Sequence, residues 1–583
     1  MSTKKLKIHS ENILPILKKW LYSERDIFVR ELISNACDAI SKLSVLGIDD
    51  EHRIDVSIDK EAKTITFSDT GLGMTKEEVE KYIAQLAFSG AEEFIEKYSD
   101  KGASDQIIGH FGLGFYSTYM VAHTVELDTL SYQEGATPSH WKCDGSSKYT
   151  IKDGKRLKRG TTITLHLEDT DYLDEGKIKE ILKRFCSYLP YPIYLGDERI
   201  NPNKPLWLKK PSECTDEEYI EFYRQLYPME QDPIFWIHLS VDYPFHLQGI
   251  LYFPKITNRL DMEKSAIQLY CNRVFVSDNC KDIIPDYLMV LRGVIDSPNI
   301  PLNVSRSCLQ VDRTVRQLMG HISKKVSDKL SSLYKNEREK FLERWPDIEL
   351  IIKLGALQDD KFYEKCQDFL VWQNTADEWT TIKEYCERCE TKHKDKIFYT
   401  SQPDCHTLPL YTSKGIEVLQ ATSTLDTHVI NMLEQKCSPV KFQRIDGAID
   451  ESICDTSEKE TPTDLIEFFR SHLNDIEVEA KSLTDSNLPA FVMIDENTRR
   501  MRDAMAMHDP SMRDQFNKHT FVVNTNSPLI ETLAKTEDKE LAKELTQHLY
   551  ELSLLGQREL KSEQIKGLIE RSTKLFTKIL EKK

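Results

Sequence analysis

An apolar strand that ends on an acid and two glycines constrains this chain more than any other feature. In Ile65-Thr66-Phe67-Ser68-Asp69-Thr70-Gly71-Leu72-Gly73-Met74, Ile65 and Phe67 alternate with polar residues as a half-buried strand does. Counting by twos puts Asp69 on the same inward face. A buried carboxylate without a partner is costly, so a donor is expected beside it. The glycines let the backbone approach a ligand closely. An inward acid followed by G-x-G suits a purine, because the carboxylate accepts from the exocyclic amine while the loop passes the ring. A plain turn uses the same residues, so the motif needs company.

Company comes from both sides. Residues 25–46 read as an amphipathic helix, with Phe28, Leu32, Ala36, Ala39 and Leu43 at spacings of three and four and Gly47 just beyond a plausible end. Glu31, Asn35 and Asp38 share one strip of that helix, flanking its apolar face. Alone, such a strip is a solvated acidic edge. Downstream, Gly109-His110-Phe111-Gly112-Leu113-Gly114-Phe115 opens a predicted helix through Tyr116, Ser117 and Met120. Backbone N–H groups there, with the favourable end of the helix dipole, suit a triphosphate. The stretch lacks the G-K-[ST] ending of the common phosphate loop.

The chain has 583 residues, which predicts two to four domains. A net charge of −17 argues against nucleic acid and anionic lipid as partners. No apolar run approaches the ~18 residues of a membrane span, and Met1 to Lys5 lead into polar residues, so a cytoplasmic location is expected. The 13 cysteines read as reduced thiols. Cys386, Cys389, His393, Cys405 and His406 could be drawn as a zinc site, but Cys386 and Cys389 lie in a helix-like stretch, whereas C-x-x-C ligand pairs sit on tight turns.

Strands are expected over Ile54–Ile58, Ile65–Phe67, Thr162–Leu167, Gly249–Phe253 and Gln268–Val276, with helices dominating from Arg313 to about Ile352. The acidic, polar stretch from Ile445 to Thr463 reads as a boundary or mobile linker. Two final helices carry stripes, one of Leu541, Leu545, Leu549 and Leu552, the other of Ile565, Leu568, Ile569, Leu575, Phe576 and Ile579. The second stripe is equally readable as core or as a subunit interface.

The three elements around Glu31, Asp69 and Gly112 jointly resemble the ATP site of the Bergerat, or GHKL, type. That site is shared by gyrase-type topoisomerases, sensor histidine kinases, mismatch-repair MutL proteins and the ninety-kilodalton heat-shock chaperones. The stretch Asp26 to Ala36 is similar to the chaperone version. So are Pro205 with Trp207, Tyr252-Phe253-Pro254-Lys255, Arg273-Val274-Phe275-Val276, Ile300 to Arg306 and Phe442-Gln443-Arg444. The absence of a long charged insert, and an ending of Glu581-Lys582-Lys583, resemble the bacterial, HtpG type of this family.

The resemblance implies an α+β multidomain chain: an N-terminal α/β sandwich ATPase domain over 1–203 with a lid at about 89–109, a mixed α/β middle domain over 204–450, and a helix-rich C-terminal dimerisation domain over 464–583. It implies ATP and Mg²⁺ as cofactors. Glu31 matches the residue holding the attacking water, and Asn35 matches the one whose carboxamide oxygen coordinates Mg²⁺. Asp69 matches the adenine reader, Met74 packs near the base beside Gly73, and Thr161 supplies a supporting hydroxyl. Asp38 matches a contributor through water. Gly112, Leu113, Gly114 and Phe115 match the phosphate-side loop. Arg306 matches an arginine reaching the γ-phosphate, and Gln310 its companion.

It further implies a homodimeric ATP-dependent chaperone with non-native client proteins and possible co-chaperones. Met501, Met505, Met507 and Met512 resemble a client-binding helix, although methionines also fill cores. Phe88, where many relatives carry a lysine, and His110, in place of a glutamine, depart from the family pattern at the lid. The rival reading is a DNA-processing or signalling ATPase of the same superfamily, against which stand the acidic balance and the lack of an identifiable DNA-reading or phosphoacceptor module. Phe88 leaves open a third, a nucleotide-binding scaffold that barely hydrolyses.

Overall fold

The computed structural model describes residues 24–48, 50–85, 88–97, 107–109, 112–146, 148–202, 204–243, 245–255, 266–278, 283–300, 313–391, 393–447, 449–455, 463–473, 476–508 and 519–581. Its chain divides into two compact units, 1–326 and 327–583.

In the first unit, helix α1 (Ile27–Val45) runs close to its expected bounds and ends before Gly47. Its apolar face packs on a sheet begun by β1 (Ile54–Asp59) and β2 (Thr64–Asp69). Phe28 is fully buried and meets the rings of Phe67 and Tyr172 edge-on at 6.2 and 5.2 Å. Burying such a ring contributes about 1.5–3 kcal/mol. Helices α2 (Lys76–Tyr82) and α3 (Gly90–Lys97) follow, α2 opened by a capping box of Thr75 and Glu78.

Next come β3 (Ala122–Leu130), β4 (Ser139–Cys143), β5 (Tyr149–Asp153), β6 (Gly160–Leu167), α4 (Glu175–Cys186), β7 (Ile193–Leu195) and β8 (Glu198–Arg199). The sheet order is β5-β4-β3-β6-β2-β1-β7-β8. Register pairs Ile54 with Asp69 on one side of β2 and Ser68 with Thr162 on the other. Asp69 therefore leaves an interior strand, where both neighbours restrain its backbone.

A second sheet of the same unit holds β9 (Phe235–Val241), β10 (Leu247–Phe253), β11 (Ala266–Cys271), β12 (Val274–Ser277) and β13 (Arg292–Asp296) in the order β12-β11-β13-β10-β9. The single strand expected over Gln268–Val276 is instead a hairpin. Asn272 and Arg273 take φ values of 49° and 66°, the left-handed pair that a tight two-residue turn needs. Asn tolerates that region and Arg seldom does, so periodicity alone missed the break.

The chain enters the second unit within α5 (Arg313–Asn336), followed by α6 (Trp345–Gln358). Strands β14 (Val371–Asn374) and β15 (Trp379–Thr381), helix α7 (Ile382–Cys389), strands β16 (Lys396–Thr400) and β17 (Val418–Gln420), helix α8 (Asp426–Lys436) and β18 (Lys441–Arg444) build a sheet ordered β15-β14-β17-β16-β18. A smaller sheet, β19 (Glu477–Lys481), β20 (Ala490–Met493) and β21 (Thr520–Asn524), has the order β19-β21-β20. Helices α9 (Glu496–His508), α10 (Lys539–Gly556) and α11 (Ser562–Glu581) complete the described part.

The described residues of 445–455 are packed rather than a mobile linker, and two of their acids are paired with cations. Asp446 is fully buried between the guanidinium groups of Arg444 and Arg499, and Asp450 takes Lys396 at 2.7 Å. Residues 456–462 lie outside the described residues. On α11, Leu568 and Leu575 are buried, whereas Ile565, Ile569, Phe576 and Ile579 are exposed. Leu552 of α10 is exposed as well.

Candidate functional site

One cavity of about 250 Å³ brings the first unit's three sequence elements together. Glu31, Asn35 and Asp38 reach it from α1, Asp69, Gly73 and Met74 from the end of β2, and Gly112, Gly114 and Phe115 from the glycine-rich segment, with Thr161 joining from β6. Leu113 packs partly buried against the core. His110, Arg306 and Gln310 fall outside the described residues.

Asp69 is buried, as the alternation of β2 requires. Its Oδ1 accepts the backbone N–H of Gly71 at 2.8 Å and of Thr161 at 3.3 Å. Its Oδ2 has no hydrogen-bond partner among the described residues. Burial raises the carboxyl pKa to about 6, against the lowering effect of those N–H groups and the nearby Arg156. Arg156 itself donates to the Asp69 carbonyl at 2.7 Å and to the Thr162 hydroxyl, tying the end of β2 to β6.

Thr161 thus supports Asp69 through its backbone. Its hydroxyl pairs with Thr129 at 3.0 Å, and Thr129 in turn accepts the Met74 N–H at 2.9 Å. Gly73 sits at φ 62°, and a Cβ there would lie 1.9 Å from the Leu130 carbonyl oxygen, so only glycine lets the loop pass.

Glu31 is equally one-sided. Arg30, almost wholly buried, donates from Nε at 3.1 Å and Nη2 at 2.8 Å to the same Oε1, while stacking 5.8 Å above the Phe185 ring. Oε2 has no hydrogen-bond partner among the described residues. A Cβ on Gly114 would come within 2.4 Å of that oxygen, so the glycine is what lets the glycine-rich segment lie against the carboxylate. The segment continues as the expected helix, which is of the 3₁₀ type, Gly114–Met120. Its seven residues add only a short dipole, so any anion here would rely chiefly on backbone N–H groups.

Asn35 is exposed, and its carboxamide has no partner among the described residues. Asp38 is closed by contrast: its two oxygens accept the N–H groups of Ile108 and Gly109, each at 2.7 Å. Phe88 lies stacked on Tyr82 at 6.0 Å with the Lys81 ammonium 5.2 Å from its ring, so it packs on α2 beside the cavity. Arg30, Lys42, Thr129 and Arg156 were not singled out from sequence. Only Arg30 carried a signal, as the first charge in the otherwise apolar run Ile27-Phe28-Val29.

The zinc-like cluster is dispersed into local contacts. Cys389 is buried on α7, His393 Nδ1 meets the Lys396 carbonyl at 3.0 Å and Cys405 meets Thr407 at 3.1 Å. Among the described residues no group of three or more His, Cys, Asp or Glu could hold a metal ion. No helix among them is long and apolar enough to cross a membrane. Met501 is exposed on α9 and Met505 partly so, while the side chain of Met507 and all of Met512 lie outside the description.

Chemically, the cavity offers two carboxylate oxygens and a carboxamide without partners among the described residues, and an apolar lining that includes Leu32, Phe67, Met74 and Leu127. Comparison with known proteins converges on the same region. Residues 22–170 match the model of the histidine kinase-, DNA gyrase B- and HSP90-like ATPase, and residues 195–582 match that of the Hsp90 protein. The chaperone protein HtpG of Porphyromonas gingivalis is 41% identical over 97% of this chain and 88% of its own length. That of Bacteroides fragilis is 41% identical over 91% and 84%. That of Fusobacterium nucleatum is 36% identical, covering 78% of each chain.

Proposed function

The chain belongs to the Hsp90 family of molecular chaperones, with an ATPase domain of the GHKL type, and on that premise we propose an ATP-driven dimeric clamp that binds and remodels partly folded client proteins. The observation that carries the nucleotide reading is the half-used carboxylate of Asp69. Its Oδ1 is fixed by two N–H groups, and its Oδ2 is left for the exocyclic amine of adenine. Met74 and Gly73 flank the base, with Thr161 and Thr129 bracing the loop.

Catalysis in this reading falls to Glu31. Arg30 holds one oxygen, which orients the other toward a water and leaves it as the general base. Asn35, whose carboxamide has no partner among the described residues, would hold Mg²⁺, which when bound offsets phosphate charge. Backbone N–H groups at Gly112, Leu113, Gly114 and Phe115 receive the phosphates, and Arg306 with Gln310 would complete the site.

The three-domain division at 1–203, 204–450 and 464–583, cytoplasmic residence and co-chaperone contacts are further parts of the proposal. The exposed half of α11 supports homodimerisation: Ile569, Phe576 and Ile579 form an apolar stripe that a second copy would cover. Exposed Met501 supports client contact on α9.

The test pairs binding with turnover. In Glu31→Gln, ATP is expected to bind near wild-type affinity while hydrolysis falls by about 10²- to 10⁴-fold, the span of a positioned general base. Equal turnover in both proteins would remove Glu31 from the mechanism.

A further inference from the structure

Ile107, Ile108 and Gly109 form a short wall between two cavities of the first unit. Gly109 lines the nucleotide cavity. Ile108 lines a second one, of about 350 Å³, together with Ser41, Tyr191, Gln248, Asn272 and Arg273. The wall is held from both sides. Asp38, on α1, accepts the N–H groups of Ile108 and Gly109. From the second sheet, the side-chain amide of Asn272 donates to the Ile107 carbonyl at 3.1 Å.

Asn272 reaches the wall because of its turn. Its left-handed φ of 49° projects it from the hairpin between β11 and β12. The turn is itself anchored: the Arg273 N–H lies 3.2 Å from each oxygen of the buried Asp296, and Asp296 Oδ2 also accepts Trp207 Nε1 at 3.2 Å. The donor therefore sits on a rigid support, while the wall runs within five residues of Gly114, whose backbone lies against Glu31.

We infer that Asn272 is a positioning residue for the nucleotide reaction: through the Ile107 carbonyl it fixes the start of the glycine-rich segment, so that a shift of the hairpin is felt at Gly112 and Gly114. The inference rests on the nucleotide reading of the first cavity. It makes the second sheet a part of that site's geometry without contact to substrate. A bond serving stability alone would, once removed, lower the unfolding temperature and leave nucleotide affinity where it was.

Two variants of the full chain separate these cases. Asn272→Asp is isosteric and tolerates the turn but sets a carboxylate against a carbonyl. Asn272→Gly keeps the left-handed turn and removes the donor without that repulsion. In both, KM for ATP is expected to rise by about two- to tenfold, the range of one hydrogen bond, with kcat less affected. Amide hydrogen exchange across Ile107 to Gly114 should quicken in the nucleotide-free protein while strands β1 to β8 keep their protection. Combining Asn272→Gly with Asp38→Asn should fall short of the sum of the two, since both act on one wall.

Wild-type KM and wild-type exchange in both variants, in a protein whose wild type hydrolyses ATP, would overturn the role of Asn272 alone. A wild type that neither binds nor hydrolyses ATP would overturn the nucleotide reading, and this inference with it.

Discussion

The two units each bury charge, and they do so in opposite ways. In the second, Lys353 of α6 is wholly buried, its ammonium shared by Glu349 and Asp426 and lying 5.4 Å from the Trp372 ring. Asp426 uses both oxygens: Oδ1 also accepts Trp372 Nε1 at 3.1 Å, and Oδ2 accepts the Ser423 N–H at 2.8 Å. In the first unit, Asp69 and Glu31 are buried too and line a cavity, but among the described residues each has a single oxygen in hydrogen bonds. A polar group satisfied on every side is part of the scaffold. One satisfied on half its sides, around a cavity, is a site awaiting a partner.

The largest expected effect tests the closed cluster. Lys353→Met leaves Asp426 buried without its cation and should cost about 3–5 kcal/mol of second-unit stability, read by denaturant unfolding, with nucleotide affinity unchanged. Replacing Glu349 and Asp426 by apolar residues in the same chain should recover most of that loss. A large loss of nucleotide affinity in Lys353→Met would break the division between scaffold and site.

A second effect is read in pH. Asp69 has its pKa raised to about 6 from an ordinary value of 3.8, so in the nucleotide-free protein its neutral form persists to a higher pH than in the unfolded chain. Its contribution to folding is present below pH about 4 and lost as pH rises through about 6. Binding of an amine donor runs the other way, since it needs the ionised acceptor. Between pH 7 and pH 5 the ionised fraction falls from about nine-tenths to about one-tenth, so nucleotide affinity should weaken about tenfold. A flat profile, by calorimetry, would mean that Asp69 does not accept from the ligand.

The smallest effect concerns orientation. Arg30→Lys keeps a cation but loses the paired contact of Nε and Nη2 to one oxygen, and should lower kcat a few-fold with KM little changed. A wild-type kcat would show that Glu31 holds its position unaided.

Legibility in the sequence followed the same division. The alternation of β2 located Asp69 on the buried face, and the helical strip gathered Glu31, Asn35 and Asp38, because periodicities of 2 and 3.6 report which way a side chain points. What periodicity cannot report is a partner brought from afar. The Asp446 pair with Arg499 made an acidic stretch look like a linker, and the closure of Asp38 by Ile108 and Gly109 carries no pattern of its own. The break at Asn272-Arg273 was missed because the turn lacks the glycine that usually announces it. The helix led by Gly114 is legible as a helix but not as 3₁₀, since a glycine-led start looks alike whether the first turn is α or 3₁₀.

The central claim is that the open oxygen of Asp69 is what makes the cavity a purine site. Titration of ATP into wild type and Asp69→Asn at pH 7.5, with the unfolding temperature of both measured alongside, tests it most directly. The substitution keeps the shape and an acceptor for Gly71 and Thr161 but presents an amine to an amine. Loss of affinity by about a hundredfold or more, on the scale of roughly 3 kcal/mol for a charged hydrogen bond, is expected in a protein that remains folded. Wild-type affinity in a folded Asp69→Asn would contradict the claim and leave the cavity without its proposed ligand.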